Sequence, residues 1–242
     1  MPPIAGRVVF EGMNRGLVNL IGLGFGAELM YSFIIIICSL MIYFGTKEIY
    51  ELSQYKGIKY FRMAFLFFAL AYFFRSFIKF IIIYFNVNGL FEVSPMILNP
   101  VVSQLTLVVF MYFSSMAIFY FLYSVMWKQW ESGKLIYLFH VIAWIIAIYS
   151  VLSRSSFSYI GLNFVLFLFI LVVVFLSYKK SRKKSKGYNL YAVYVLLLFF
   201  WILNIIDILL PKFLELFQLF IYLISLGIFL LMVYKVLKKA GS

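Results

Sequence analysis

The chain has 242 residues, of which 66% are hydrophobic and only 12% are charged, and its net charge is +13. Soluble domains carry about one quarter charged residues, so this composition indicates an integral membrane protein with little room for a soluble domain. The positive charge therefore concerns membrane orientation and lipid contact rather than nucleic acid. Cys38 is the only cysteine, which excludes a disulfide framework and a thiolate metal site.

The predicted elements begin with residues 1–23, in which charged and apolar residues are mixed as in an arm that lies at the membrane interface. Seven apolar segments follow, each long enough to cross a bilayer. They predict transmembrane helices at 24–44, 60–85, 96–126, 135–152, 158–177, 188–210 and 213–234. The fold class is therefore all-α, a polytopic membrane protein with residues 1–239 as one domain. Residues 240–242 are interpreted as a cloning remnant.

Lysine and arginine residues are distributed unevenly between the two ends of these spans. Fifteen of the 21 lie in the loops after spans one, three, five and seven, four lie on the opposite side, and Arg75 and Lys79 lie within span two. Because basic loops remain in the cytoplasm, we expect the N-terminus outside and the C-terminus inside, in a cell membrane that the chain crosses several times. The basic run 179–186 is expected to bind anionic lipid headgroups.

Span two contains two cations within its apolar sequence. Arg75, near mid-membrane, and Lys79 are one helical turn apart, and Tyr72 lies one turn before Arg75. An isolated charge inside a bilayer costs about 2.5 kcal/mol or more, so these cations require polar partners. At about 1.5 Å per residue, the polar residues of the other spans also fall in the outer half. The candidate ligand-binding residues are Glu28, Tyr72, Arg75, Lys79, Gln104, Asn204 and Asp207.

The same residues also fit a structural role. Arg75 would then pair with Asp207 and fix the helix packing, while Lys79 would extend to the outer surface. The inner half holds few polar residues besides His140, Ser114 and Ser115, and its aromatic residues predict a closed floor. A polar cluster above a closed floor favours a ligand pocket over an ion pathway.

Several chemistries lack the residues that they require. The seventh span has no lysine for a retinal Schiff base, and the chain has no zinc-protease histidine motif and no glycine-rich phosphate loop. A single histidine excludes haem with two histidine ligands, and we expect His140 to be a hydrogen-bonded core residue. We therefore predict neither an enzyme nor a resident cofactor or metal. The 30 Phe and 19 Tyr are expected mostly to face lipid.

A short sequence similarity between two parts of the chain suggests one family resemblance. Tyr55-Lys56-Gly57 opens the second span and Ser185-Lys186-Gly187 opens the sixth. Spans one to three and five to seven then resemble two parallel repeats around span four, which is the three-one-three plan of the SWEET and PQ-loop families. This resemblance implies a small-solute transporter that uses the polar cluster as its substrate site. The chain lacks the prolines that those families carry within the repeated helices.

A second resemblance concerns the segment FRMAFLFFALAYFFR at 61–75, which has a basic cytoplasmic start and a buried arginine. It is similar to the seven-helix input regions that precede prokaryotic histidine kinases. The resemblance implies a receptor-like protein that binds a small or amphipathic ligand and passes a helix shift to a signalling partner at the cytoplasmic loops. A transporter must open its inner half to water, whereas a receptor need not. A lipid-interacting scaffold without a ligand site is the third alternative.

Overall fold

The computed structural model describes residues 26–87, 95–130, 134–153, 156–183, 190–209 and 215–240, and within them the chain forms eight helices and no strand. The helices are α1 (26–45), α2 (Lys47–Ser53), α3 (Lys56–Val87), α4 (Pro95–Met126), α5 (Lys134–Leu152), α6 (Ser156–Lys183), α7 (Tyr191–Leu209) and α8 (Glu215–Ala240). Six helical segments are long and apolar enough to cross a membrane, and α7 is a shorter apolar helix. The prediction of an all-α polytopic membrane protein is confirmed. The predicted arm at 1–23 and residues 241–242 lie outside the described part of the chain.

The segment 47–59, predicted only as a polar connection, contains the short helix α2 and the first turn of α3. The hydroxyl of Thr46 donates to the carbonyl of Ile42 at 2.7 Å, where α1 passes into α2. The helix α2 ends at Gln54, whose φ of 49° is left-handed and whose N–H donates to the carbonyl of Tyr50 at 2.8 Å. This left-handed residue is a common helix end, and it allows the chain to turn from α2 into α3.

The long helices pack against one another largely in chain order. The helix α3 packs on α4, α4 packs on α5 and α6, and α6 and α7 each pack on the next helix. The rings of Tyr31 on α1 and Tyr222 on α8 stack at 4.5 Å, and the side chain of Leu237 on α8 fills the space beside Gly45. These contacts join the last helix to the first. The helix α5 rests mainly on α4 and makes few contacts with α6.

Aromatic side chains fill the centre of the bundle. Among the described residues, seven phenylalanines are fully buried: Phe61, Phe65, Phe68, Phe119, Phe121, Phe200 and Phe229. The ring of Phe65 contacts Phe121 at 5.2 Å and Phe229 at 6.3 Å, so α3 meets both α4 and α8 there. Other phenylalanines, such as Phe175 on α6, remain exposed on the bundle surface. These rings form the core, and the expectation that most of the aromatic residues face lipid stays a prediction.

We call the end of the bundle that holds Glu28 and Arg75 the outer end, and the opposite end the inner end. At the inner end, the hydroxyls of Ser124 and Tyr194 are hydrogen-bonded at 2.7 Å, and Lys180 donates to the carbonyl of Val125. These two bonds connect α4 with α7 and α6. The hydroxyl of Tyr112 and Nδ1 of His140 are 2.8 Å apart, so His140 is hydrogen-bonded as expected, but its side chain is half-buried and does not lie in the core.

Candidate functional site

An ion pair joins α1 and α3 at the outer end. The Nε and one Nη of Arg75 donate to Oε1 of Glu28, at 3.1 and 2.6 Å, and the two side chains are 26% and 20% exposed. The guanidinium carbon lies 5.1 Å from the ring centre of Phe110 on α4, in a cation–π contact. Charge-assisted hydrogen bonds of this kind are stronger than neutral ones, so the pair fixes Arg75 between three helices.

A second polar contact lies one helical turn further into the bundle. The hydroxyl of Tyr72 donates to Oδ1 of Asn204 at 3.2 Å, and Nδ2 of Asn204 donates to the carbonyl of Phe200 at 2.9 Å. The Tyr72 ring is buried and meets Tyr31 edge-on at 6.0 Å. Since Tyr72 and Arg75 are neighbours on one face of α3, the two contacts form a continuous polar layer across α1, α3 and α7.

Asp207 and residues of α6 extend this layer. Asp207 lies close enough to interact electrostatically with three tyrosine hydroxyls, those of Tyr31, Tyr72 and Tyr222. Tyr159 on α6 is close enough to interact in the same way with Arg75. The amide of Asn163 donates to the carbonyl of Tyr159 at 2.9 Å. Half-buried charges and buried or half-buried phenols therefore come from five helices into one layer. Hydroxyl, amide and charged groups together can bind both the anionic and the hydroxyl-bearing parts of a ligand.

Rings of phenylalanine close the layer from below. Phe68 lies one turn before Tyr72 on α3, and its ring contacts Tyr72 at 5.5 Å, Phe200 at 5.6 Å and Phe229 at 5.7 Å. All four side chains are buried. Groups above this floor lie near the outer end, whereas the interior below it is occupied by further aromatic rings.

Five of the seven predicted site residues come together in this layer: Glu28, Tyr72, Arg75, Asn204 and Asp207. Gln104 lies half-buried on α4, and within the described residues it makes no hydrogen bond to the others. Lys79 lies on α3 one turn beyond Arg75, but its side chain is outside the described part of the structure.

Two details of the predicted site are corrected by the ion pair. The carboxylate in contact with Arg75 is Glu28 of α1, not Asp207 of α7. Glu28 is the third described residue of α1, and a contact of 2.6 Å requires the two charged groups to lie at one level. The two charged groups therefore share one level, whereas the sequence placed Arg75 deeper in the membrane than Glu28.

Sequence reasoning missed the aromatic residues that line the layer, chiefly Tyr31, Phe110, Tyr159 and Tyr222. Tyr31 lies one helical turn after Glu28, and Tyr222 lies one turn after Gln218, whose amide donates to its hydroxyl at 3.0 Å. Helical spacing from a polar residue is therefore the signal that could have identified two of them. Tyr159 carries the same signal, since it lies one turn before Asn163 on α6.

A protein of Archaeoglobus fulgidus is 33% identical to this chain over 216 residues, which are 88% of this chain and 92% of the archaeal protein. The chain belongs to the same family as that protein. The relative is described as an uncharacterized protein, so the family membership supplies no activity. No protein-family model matches the chain, and no solved structure matches it.

In the structure of this chain, a groove of about 200 Å³ opens to the side of the bundle between α1 and α3. It is lined by Leu29, Phe33, Ile36, Phe73, Ser76, Phe77 and Phe80. The groove thus lies between the two helices that the Arg75–Glu28 pair joins. Among the described residues, no three His, Cys, Asp or Glu side chains gather as metal ligands.

Proposed function

We propose that this membrane-spanning helical bundle is a receptor-like or sensory protein of the cell membrane, which binds a small or amphipathic ligand in the outer polar layer. The observation that carries the proposal is the contact between Tyr72 of α3 and Asn204 of α7, directly below the Arg75–Glu28 pair. A ligand that competes for any of these groups changes the bonds between α1, α3 and α7. Ionisable residues inside membrane helices are functional candidates for this reason.

The helix α7 offers a physical route from the outer layer to the inner end. Its Asn204 is bonded to α3 in the outer layer, and its Tyr194, ten residues earlier, is bonded to Ser124 of α4 at the inner end. Ten residues of helix span about 15 Å. A shift of α7 at Asn204 is therefore expected to alter the contacts of Tyr194, and with them the cytoplasmic surface on which we place a signalling partner and anionic lipids.

The packed inner half supports sensing over transport. Phe61, Phe65 and Phe121 are fully buried against one another, and Tyr194 closes the same region. A transporter has to separate these rings in at least one state so that its substrate can reach the inner side. A sensor needs only a small rearrangement of the same helices. The proposal includes no catalytic step.

The movement of the inner end provides the first test. Cys38 is replaced by alanine, and nitroxide labels are attached at cysteines that replace Lys128 and Arg182, both exposed at the inner end. The distance between the labels is measured in phosphatidylcholine nanodiscs before and after the addition of oleate, glutamate or glucose. We expect at least one of these probes to shift the distance, and Tyr72→Phe to reduce that shift. The matched control is Tyr137→Phe, whose ring is 75% exposed on α5.

Two other outcomes support the alternatives. Accumulation of radiolabelled glutamate or glucose inside vesicles that contain the protein would identify a transporter. If none of the three probes changed the distance between the labels or raised the melting temperature of the protein, the outer layer would only hold the helices together, as in a lipid-interacting scaffold. Either result would overturn the sensory proposal.

A further inference from the structure

A hydrogen-bonded pair of polar side chains lies on the side of the bundle, where α5 packs on α4. The hydroxyl of Tyr112 on α4 is 2.8 Å from Nδ1 of His140 on α5, and both side chains are half-buried. Trp144 lies one helical turn after His140, and its ring centre is 4.7 Å from that of Tyr112. The Trp144 side chain is 49% exposed. These three residues therefore form part of the surface that the bundle presents to lipid.

The pair leaves one hydrogen-bond donor unused. A neutral imidazole has one N–H group and one acceptor nitrogen, and a phenol has one O–H group. If the Tyr112 hydroxyl donates to Nδ1, the N–H group at Nε2 is left over. If Nδ1 carries the proton and donates, the Tyr112 hydroxyl is left over. Within the described residues the two side chains have no other hydrogen-bond partner, so either tautomer presents an unused donor.

A second hydroxyl lies near the pair. Tyr120, two helical turns after Tyr112 on α4, is close enough to Tyr112 for the two hydroxyls to interact electrostatically. No hydrogen bond of the Tyr120 hydroxyl is found in the described part of the chain. The ring of Phe67 on α3 lies between these groups, with its centre 5.0 Å from that of Tyr120 and 6.2 Å from that of His140. Unused donors and aromatic rings thus meet where α3, α4 and α5 adjoin.

The depth of His140 in the membrane limits what can accept its hydrogen bond. Lys134, exposed at the start of α5, precedes His140 by six residues, which is about 9 Å along the helix. The 19 residues of α5 span about 28 Å, close to the thickness of the hydrocarbon core. His140 therefore lies inside the hydrocarbon, whereas the carbonyl groups of phospholipids lie in the interfacial region outside it. An unused donor at this depth is strongly unfavourable, and a molecule that dissolves in the membrane core can supply the acceptor.

The neighbouring rings favour a flat ligand. The rings of Tyr112 and Trp144 are inclined by 34° at a centre-to-centre distance of 4.7 Å, which is within the range of favourable aromatic pairs. The exposed part of Trp144 can form a similar contact with a ring that approaches from the lipid. A quinone has such a ring, its carbonyl oxygens are hydrogen-bond acceptors, and its hydrocarbon tail keeps it in the membrane core.

We propose that Tyr112, His140 and Trp144 form a binding site for a membrane quinone. A ring carbonyl accepts the hydrogen bond of the unused donor, the ring packs on Trp144, and the tail lies in the surrounding lipid. The ligand enters from the side of the bundle. This site is separate from the outer polar layer and does not depend on the proposed function. Binding involves no electron transfer.

Nuclear magnetic resonance can observe this site directly, because His140 is the single histidine of the chain. The full chain is labelled with ¹⁵N-histidine, purified without a histidine tag and placed in bilayers of a diether phosphatidylcholine, which has no ester carbonyls. Decylubiquinone is titrated into the lipid, and decylbenzene, a ring and chain without carbonyls, is the matched probe. We expect the quinone to shift the imidazole nitrogen signals saturably and decylbenzene to leave them unchanged. The spectra also show which tautomer is present.

A variant of the exposed ring tests the packing contact. Trp144→Leu keeps His140 as the reporter, and we expect it to raise the half-saturation concentration of decylubiquinone about two- to tenfold, because the aromatic contact is lost. The matched control is Tyr149→Leu, whose ring is 52% exposed. Tyr149 is nine residues after His140 and so lies on the opposite side of α5. This variant should leave the half-saturation concentration unchanged.

Three results would overturn the quinone site. Equal shifts with decylubiquinone and decylbenzene would show that the surface makes only apolar contacts. A shift that never saturates, or no shift at all, would show that the quinone stays in the bulk lipid. If replacing the diether lipid with its diester analogue moved the His140 signals without any quinone, a phospholipid carbonyl would be the partner of the pair instead.

Discussion

The outer and inner ends of the bundle are held together in different ways. At the outer end, a partly exposed ion pair and a tyrosine–asparagine bond connect α1, α3 and α7. Below them, Phe61, Phe65 and Phe121 pack as buried rings. Ring packing is lost only when helices separate, whereas a hydrogen bond or ion pair exchanges partners in place. The outer end is therefore suited to respond to a ligand, and the inner half to keep the helices together.

The largest effect is expected in the ring-packed half. Phe65→Ala removes contacts to Phe61, Phe121 and Phe229, and we expect it to lower the free energy of unfolding by about 3 kcal/mol. Unfolding by sodium dodecyl sulfate in mixed micelles measures this loss. Phe175→Ala, at a side chain that is 66% exposed, is the matched control and should cost less than one third as much. Equal losses at the two positions would contradict a stabilising inner core.

The ion pair should come next. Arg75→Gln or Glu28→Gln leaves a partly buried charge without its partner, and we expect each to cost about 2 kcal/mol of unfolding free energy. The double variant should cost less than the sum of the two, with a coupling of about 1 kcal/mol or more. Asp207→Asn should couple less strongly to Arg75→Gln than Glu28→Gln does. A stronger coupling to Asp207 would mean that the pair seen here is not the dominant one.

Close packing at the inner end gives a third test. A Cβ on Gly57 would lie 2.5 Å from the ring of Tyr55, 2.9 Å from Trp127 and 3.0 Å from the carbonyl of Ser124. We therefore expect Gly57→Ala to cost about 1–2 kcal/mol through overpacking. Gly161→Ala on α6, where nothing lies within 4 Å of the added methyl, should be neutral or stabilising. The difference between their melting temperatures is the measurement, and no difference would contradict close packing at Gly57.

The smallest effects compare the two hydrogen bonds of α7. Tyr72→Phe removes the outer bond and Tyr194→Phe the inner one, and each should cost about 0.6–1 kcal/mol. Their effects on function should differ more than their effects on stability. We expect only Tyr72→Phe to change the concentration of oleate, glutamate or glucose at which half of the label shift at the inner end is reached. An equal change in both variants would remove the distinction between a ligand-binding end and a packed end.

Most of the helix boundaries were predictable because apolar length and flanking charges are local signals. The third predicted span, 96–126, matches α4 (Pro95–Met126), and Pro95 stands at its first position, where proline is favoured. The short helix α2 was missed, because its mixture of charged and apolar residues resembles a connecting segment. In a membrane both surface and core are apolar, so composition could not separate Phe65 in the core from Phe175 on the surface.

Which residues form the site was easier to predict than which of them contact one another. Depth along a helix follows from residue number, and it placed Tyr72 and Asn204 in the same half of the membrane, where they are bonded. The direction in which neighbouring helices face one another does not follow from residue number. The sequence therefore suggested Asp207 as the partner of Arg75, whereas the contact between α1 and α3 gives Arg75 to Glu28.

The packing of the last helix against the first has a consequence for biogenesis. The helices α3 and α4 are neighbours in sequence and pack extensively on each other, so this hairpin can form early during synthesis. Tyr31 of α1, in contrast, stacks on Tyr222, which the ribosome adds almost 200 residues later. The face of α1 that carries Tyr31 therefore lacks its α8 partner until synthesis is nearly finished. An assembly factor that shields α1 during this interval would act before α8 is inserted, and would be displaced when the bundle closes.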